Sequence, residues 1–135
     1  MPAGDREDER SSLGDFGDYR LVRLLGRGGM AETFVAERVL SQGSVLRACL
    51  KRILPGLLDD PELARQFRVE AEIAATLQHA NIAGLLDHGI VDGRHYLALE
   101  LVDGIDARAL LAASARSGRP VDLDVVSEIA FGVAI

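Results

Sequence analysis

The alternation of apolar and polar residues predicts a sheet interrupted by one helix. Five strand-like runs stand out, at residues 19–25, 32–39, 45–53, 83–91 and 94–101. The last two runs are joined by Asp92-Gly93, a pair that favours a type I′ hairpin turn because both central residues need positive φ. We therefore expect five strands in a single antiparallel sheet.

Three helices are predicted, one between the third and fourth strands and two after the fifth. Asp60-Pro61-Glu62 is typical of a helix start, with an acidic N-cap and proline at the first helical position, and the helix is expected over residues 61–78. After Asp103-Gly104, helical patterns cover residues 107–116 and 122–135. This order of elements places the chain in the α+β class.

Negative charge is concentrated in the first 18 residues, which hold six acids against two bases and little to bury. We expect residues 1–18 to form a disordered acidic leader. Of the net charge of −6, the leader holds −4 and the rest of the chain −2. That near balance argues against a nucleic-acid partner.

The composition excludes several classes of protein. No apolar run approaches the roughly 18 residues of a membrane span and no signal-peptide pattern opens the chain, so we expect no membrane contact by this segment. A single cysteine, Cys49, cannot build a disulfide framework and fits a cytoplasmic location. The three histidines lack regular ligand spacing, so no metal site is predicted in these residues.

A glycine segment, Gly26-Arg27-Gly28-Gly29-Met30-Ala31, separates the first two predicted strands. Its glycines allow the backbone to approach a ligand closely and to point N–H groups at an anion. A dinucleotide-binding turn or a P-loop would need a helix after the segment, whereas here a strand follows. The spacing alone fits either a phosphate-covering loop or an ordinary hairpin turn.

Lys51 is the sole lysine among 15 basic residues and lies on the third predicted strand. A solvated lysine is the ordinary interpretation. In a chain that otherwise uses arginine, however, this position favours a specific role, because the compact lysine charge reaches a phosphate in a narrow cleft.

Glu70 lies within the apolar stripe of the predicted helix. The stripe is formed by Leu63, Phe67, Ala74 and Leu77. A carboxylate that faces a core is costly unless it is paired. We expect Lys51 to be its partner; a chance acid at the border of the stripe is the alternative.

One further segment is a candidate for contacts with a ligand, and the single cysteine is a candidate nucleophile. Residues 97–106 run from a buried strand into a glycine-containing connection, whose backbone is able to hydrogen-bond a planar base. Cys49 precedes Lys51 by two residues. It is interpreted as a small packing residue, because no helix N-terminus or basic neighbour lowers its pKa.

Together these elements resemble the N-terminal lobe of a protein kinase, of the bacterial eukaryotic-like serine/threonine type. Five motifs carry the resemblance: the glycine-rich loop at residues 25–33, the lysine strand at 48–51, the glutamate helix at 67–71, the Leu-Gln-His-Ala-Asn-Ile turn at 77–82 and the hinge at 99–104. Ala31 stands in place of the third glycine, Thr33 in place of valine, Cys49 in place of alanine and Ala80 in place of proline.

The resemblance implies an ATP site and a role for each residue. The loop formed by Gly26, Arg27, Gly28, Gly29, Met30 and Ala31 would cover the phosphates. Lys51 would hold the α- and β-phosphates, and Glu70 would orient Lys51. The adenine pocket would be lined by Leu25, Thr33, Cys49 and Leu99. The Glu100 carbonyl and the Val102 amide would meet the adenine edge, and Asp106 would reach the ribose.

The resemblance also implies a domain organisation, with a kinase N-lobe at residues 19–101 and the hinge and an incomplete start of the C-lobe at 102–135. The catalytic loop, and the Asp-Phe-Gly site that holds Mg²⁺ in the complete enzyme, would lie beyond Ile135. The parent would be a serine/threonine kinase that uses ATP, a protein substrate and the rest of the C-lobe, and this chain alone would be inactive. A pseudokinase-like binding or regulatory module and an unrelated α+β domain are the alternatives.

Overall fold

The computed structural model describes the backbone of residues 13–134 and the side chains of residues 13–127 and 129. The chain forms two compact units, one ending at Leu101 and one beginning at Val102. The first unit contains six strands: β1 (Asp15–Phe16), β2 (Tyr19–Arg27), β3 (Ala31–Val39), β4 (Val45–Ile53), β5 (Leu85–Val91) and β6 (Arg94–Glu100). It also contains helix α1 (Pro61–Thr76).

The strands form one sheet in the order β1-β2-β3-β4-β6-β5, and all neighbours are antiparallel. The predicted antiparallel sheet with one inserted helix is confirmed, with one strand more than predicted. The additional strand is β1, which pairs Phe16 with Tyr19 and Asp15 with Arg20.

Strand β1 corrects the predicted boundary of the acidic leader. Residues 1–12 of that leader lie outside the described residues, but Asp15 and Phe16 are paired in the sheet. Phe16 is 5% exposed and belongs to the apolar core. The acidic composition around Phe16 led to the prediction of disorder, whereas the burial of this one large apolar side chain stabilises the strand.

The two faces of the sheet bury separate apolar clusters. One face packs Phe16, Tyr19, Leu21, Phe34, Ala36, Ala48, Leu50 and Ala98 together. The opposite face packs Ile53 and Leu97 against Leu63, Phe67 and Ala71 of helix α1. Because side chains alternate along each strand, β4 supplies both clusters: Ala48 and Leu50 belong to the first and Ile53 to the second.

Helix α1 begins as the sequence predicts. The Asp60 side chain accepts hydrogen bonds from the backbone N–H groups of Glu62 and Leu63, and Pro61 occupies the first turn. The helix ends at Thr76, two residues before the predicted end. Its buried side chains are Leu63, Phe67 and Ala71, whereas Leu77 of the predicted stripe is 43% exposed.

The hairpin between β5 and β6 confirms the type I′ prediction. Asp92 has φ 48° and Gly93 has φ 77°, so both central residues occupy the left-handed region that this turn requires. Glycine suits this position because it carries no Cβ atom to be strained there.

The second unit contains helices α2 (Ala107–Ser117) and α3 (Leu123–Ala134), close to the predicted ranges. Asp106 caps α2 by accepting a hydrogen bond of 2.7 Å from the Ala109 N–H. Gly118, with φ 67°, follows the last turn in the left-handed conformation that ends many helices. In the described part of the chain, no helix has the length and apolar content to cross a membrane.

A polar cluster joins the start of β2 to β5 and β6. The Asp87 carboxylate accepts hydrogen bonds from the hydroxyl groups of Tyr96 (2.8 Å) and Tyr19 (3.1 Å). Burial raises the pKa of both phenols above the ordinary value of 10.0, and the neighbouring Asp87 carboxylate raises each pKa further.

These two residues are the only tyrosines of the chain, which also lacks tryptophan, so tyrosinate absorbance reports on this cluster alone. We expect tyrosinate to form in the folded protein only at pH values above those of a free phenol. Asp87→Asn should shift the titration towards the ordinary pKa, since it removes the negative acceptor. Because the folded-state pKa is raised, the associated stability is complete below pH 10 and is lost as the pH rises through the folded pKa.

Asp92→Asn is the matched control, because Asn also tolerates the left-handed turn position at which Asp92 lies. It should leave the phenol titration unchanged. Identical titration curves for the two variants would contradict the role given to Asp87.

Candidate nucleotide site

The Lys51 and Glu70 side chains form an ion pair, as the sequence predicts. The Lys51 Nζ lies 3.0 Å from Glu70 Oε1 and 3.2 Å from Glu70 Oε2. The ammonium group also lies 5.7 Å from the centroid of the buried Phe67 ring. The side chains of Lys51 and Glu70 are 33% and 46% exposed, so the pair is open to solvent and accessible to a ligand.

The position of Glu70 differs from the prediction in one respect. It does not lie among the buried residues of helix α1 but at the edge of the face that packs on the sheet. Its partner explains this placement, since a carboxylate at the edge contacts Lys51 while keeping part of its hydration. The predicted pairing is confirmed, and the predicted burial is wrong.

Strand register places Lys51 between two residues of neighbouring strands. Thr33 of β3 and Leu97 of β6 are its cross-strand partners. Since cross-strand partners share a face, Thr33 and Lys51 lie on the side of the sheet that helix α1 covers. The glycine segment ends at Ala31, two residues before Thr33 on the same strand, and the ion pair is therefore close to it.

The glycine segment forms the turn between β2 and β3, in which the Gly28 N–H donates to the Ala31 carbonyl at 2.8 Å. The fold does not explain why Gly26, Gly28 and Gly29 are glycines. None of them has a positive φ, and a Cβ atom added at any of them would meet no atom closer than 3.8 Å. The space beside this backbone is open.

A cleft of about 470 Å³ lies between the glycine segment, strand β4 and helix α1. Its lining residues are Gly28, Gly29, Met30, Ala31, Thr33, Lys51, Leu63, Gln66, Phe67 and Glu70. Seven of these were predicted from the sequence. Leu63, Gln66 and Phe67 were not, although Leu63 and Phe67 were identified as core residues; Gln66 lies one turn before Glu70, and that helical spacing was a usable signal.

No protein-family profile matches the chain. It is 36% identical over 122 residues to the tyrosine-protein kinase MasK of Myxococcus xanthus, and 34% identical over 115 residues to the serine/threonine-protein kinase PknH of Mycobacterium tuberculosis. These alignments cover 90% and 85% of the chain but only 19% and 18% of the two relatives.

Solved structures give the same relationship. The kinase domain of Mycobacterium tuberculosis PknI superimposes with a TM-score of 0.66 at 33% identity, over 90% of this chain and 47% of that domain. The chain belongs to the bacterial protein kinase family. It spans about half of the solved kinase domain that it matches and about a fifth of the curated kinases. The predicted kinase N-lobe fold is confirmed.

The other predicted contact residues of this kinase N-lobe lie beside the cleft rather than in its lining. Cys49 and Leu99 are cross-strand partners, and Cys49 shares the Lys51 face of β4. Leu25 and Gly26 lie on β2, and Gly26 pairs with Thr33. The predicted contacts of these residues with adenine remain predictions.

The predicted hinge contacts divide between the two units. Glu100 ends strand β6, and its backbone N–H donates to the Gly84 carbonyl at 2.8 Å. Its carbonyl is the atom predicted to meet the adenine edge. Val102 and Asp106 belong to the second unit, where Asp106 caps helix α2. Their predicted ligand contacts remain predictions.

Cys49 has the properties of a packing residue. Burial raises the pKa of its thiol, although the nearby positive charge of Lys51 lowers it in part. A raised thiol pKa keeps the sulfur protonated near neutral pH and makes it a poor nucleophile.

The letters Asp-Phe-Gly occur once, at residues 15–17, before the glycine segment rather than after the hinge. Asp15 and Phe16 form strand β1, and Gly17 lies in the turn to β2 with φ 59°. Phe16 is buried in the core on the face of the sheet opposite Lys51. This triplet is therefore a structural hairpin, and among the described residues no group of three metal-ligating side chains comes together.

The exposure of the Lys51–Glu70 pair predicts that it contributes little to folding. Glu70→Gln should change the free energy of unfolding by about 1 kcal/mol or less, as is usual for exposed ion pairs. Leu50→Ala, at a fully buried core position, should cost about 2–5 kcal/mol. Urea unfolding of both variants tests the comparison, and a loss for Glu70→Gln as large as for Leu50→Ala would show that the pair is structural.

Proposed function

We propose that this chain is the ATP-binding part of a serine/threonine protein kinase. The observation that carries the proposal is the open space beside Gly28 and Gly29, which faces the Lys51–Glu70 pair across the cleft. Glycines that the fold does not require, opposite a fixed cation, suit a ligand that carries phosphate and approaches the backbone closely.

Each group has a defined task in this proposal. Lys51 neutralises the α- and β-phosphates, and Glu70 keeps the ammonium at the mouth of the cleft by hydrogen bonds through both carboxylate oxygens. The glycine segment covers the phosphates from above. Adenine packs among Leu25, Thr33, Cys49 and Leu99, with the Glu100 carbonyl at its edge.

Phosphoryl transfer needs groups that the described residues do not bring together. Transfer depends on positioning and on metal ions that neutralise the developing charge. The cleft offers one carboxylate, Glu70, and that carboxylate is paired with Lys51. The described residues therefore do not fit a Mg²⁺ site, and we assign its ligands to kinase-domain sequence that follows the hinge in the parent protein.

The proposed acceptor is a serine or threonine hydroxyl of a protein. PknH is named a serine/threonine-protein kinase, whereas MasK, at slightly higher identity, is named a tyrosine-protein kinase. We place the parent with the former because PknH and PknE both carry that name. We also propose a cytoplasmic site of action, where ATP is available. A non-catalytic binding module is the second candidate; the intact Lys51–Glu70 pair argues against it.

The glycine positions provide the test of nucleotide binding. Gly28→Ala and Gly29→Ala should weaken binding of ATP by about tenfold, because each methyl group enters space that the phosphates occupy. Neither should destabilise the fold, since alanine at a compatible φ often stabilises by about 0.4–1 kcal/mol. Calorimetric titration with ATP and thermal unfolding, run on the same samples, measure both effects.

Two further variants complete this experiment. Gly56→Ala is the matched control, because it too has open space and no positive φ but lies outside the cleft; its affinity should equal that of the wild type. Lys51→Met should lose binding by more than either alanine variant. Equal affinity of Gly28→Ala, Gly29→Ala, Lys51→Met and wild type would refute the site.

The 135-residue chain should bind ATP without transferring its phosphate. After the hinge it contains no His-Arg-Asp loop and no Asp-Phe-Gly triplet. Incubation with radiolabelled ATP and a generic basic protein should leave incorporation at the level of the Lys51→Met variant. Incorporation that exceeds this level after repurification would contradict the assignment.

A further inference from the structure

Glu32 is a charged residue with 2% exposure, and it follows the glycine segment directly. Its carboxylate contacts three arginines. Oε1 accepts hydrogen bonds from Arg52 Nε (2.7 Å) and Arg94 Nη2 (3.0 Å). Oε2 accepts one from Arg27 Nη2 (2.9 Å), and Arg27 belongs to the glycine segment itself.

Arg52 and Arg94 are held by other groups as well. The Arg52 guanidinium lies 4.8 Å and 5.0 Å from the ring centroids of Phe34 and Phe16. Arg94 donates to the Ile53 carbonyl from both Nε (3.1 Å) and Nη2 (2.8 Å). These contacts fix two arginines on the sheet, and the two arginines in turn fix one oxygen of Glu32.

Arg27 differs from the other two arginines. Its side chain is 63% exposed, and within the described residues Glu32 is its ion-pair partner. The second oxygen of Glu32 therefore connects the two arginines held on the sheet to an exposed side chain of the glycine segment. Since Arg27 immediately precedes Gly28, this contact acts on the turn above the cleft.

The cluster lies behind the candidate site. Strand register pairs Glu32 with Arg52 and the next residue, Thr33, with Lys51. Because neighbouring side chains point to opposite faces, the cluster and the Lys51–Glu70 pair restrain the same stretch of β3 and β4 from opposite sides.

The arginines keep Glu32 ionised. Burial raises the pKa of the Glu32 carboxyl, but hydrogen bonds from Arg52, Arg27 and Arg94 lower that pKa more, and the pKa lies below its ordinary value. Without the Glu32 carboxylate, the positive charges of the three arginines would repel one another. The cluster therefore depends on the negative charge of Glu32.

We propose that Glu32 is a positioning residue of the nucleotide site, which holds Arg27 and thereby keeps the Gly28–Met30 turn closed over the cleft. Glu32 does not touch the nucleotide in this arrangement. The inference rests on the proposed ATP-binding role of the cleft, but its structural part is testable without a nucleotide.

Amide hydrogen exchange of the intact chain provides that test, because the Gly28 N–H is protected only while it donates to the Ala31 carbonyl. Arg27→Ala removes the exposed partner of the Arg27–Glu32 ion pair, and Glu32→Gln removes the negative charge of its buried partner. Both should increase exchange at Gly28 by about five- to tenfold, the range for loss of one partly exposed charged contact. Amides in the centre of β4 serve as the reference for global opening.

Glu37→Gln is the matched control, the same substitution in the same strand at an ion pair with Arg20. It should leave Gly28 exchange unchanged. A selective increase in Arg27→Ala supports the proposal even if Glu32→Gln is too unstable to study. Unchanged Gly28 exchange in Arg27→Ala, or an equal increase at Gly28 and in β4, overturns it.

Binding of ATP to the same variants separates this inference from the proposed function. Arg27→Ala should weaken ATP binding about three- to tenfold, whereas Glu37→Gln should not. If no variant and no wild-type sample binds ATP, the proposed function fails while the exchange result still decides the role of Glu32. If the wild type binds ATP and Arg27→Ala binds it equally well, Glu32 has no positioning role.

Discussion

Alternation of side chains along strand β4 is the constraint on which the site depends. Leu50 enters the core on one face, Lys51 reaches the cleft on the other, and Arg52 returns to the first face among aromatic rings. A shift of register by one residue would move each of these three side chains to the opposite face of the sheet. The burial of Leu50 thus fixes the direction of Lys51, and the location of the cation that lines the cleft follows from the packing of an apolar neighbour.

The cleft combines rigid and open parts. Lys51 and Glu70 come from a central strand and a capped helix, both anchored by buried side chains. The glycine segment contains no helix; its last residue, Ala31, packs against the core, and the turn itself is held by backbone hydrogen bonds from Gly28 to Ala31 and from Leu54 to Met30. The charged groups are thus fixed by buried packing, whereas the backbone of Gly28 and Gly29 beside them faces open space.

Local patterns predicted the elements well, since caps, turns and alternation depend on neighbouring residues. Asp60 and Asp92-Gly93 were recognisable for this reason. The Lys51–Glu70 pair joins residues 19 positions apart, and it was predicted instead from the single lysine, the helical stripe and the family resemblance. Other features that depend on distant residues were not predicted. Strand β1 depends on the burial of Phe16 by residues of several strands, and the Glu32 cluster joins Arg94 from 62 positions away. A helical wheel gives the direction of a side chain but not its degree of burial. It therefore did not predict that Glu70 lies half-exposed at the edge of the helix face.

The ion pair of Lys51 has a practical consequence for chemistry on this protein. Its ε-amine is the sole lysine amine of the chain, it lies in the cleft, and it is one-third exposed. An amine-directed acylating reagent therefore has a single side-chain target here, apart from the chain's α-amino group. Mass spectrometry of the acylated peptide would report occupancy of the cleft directly, and competing small molecules could be ranked by protection of one atom.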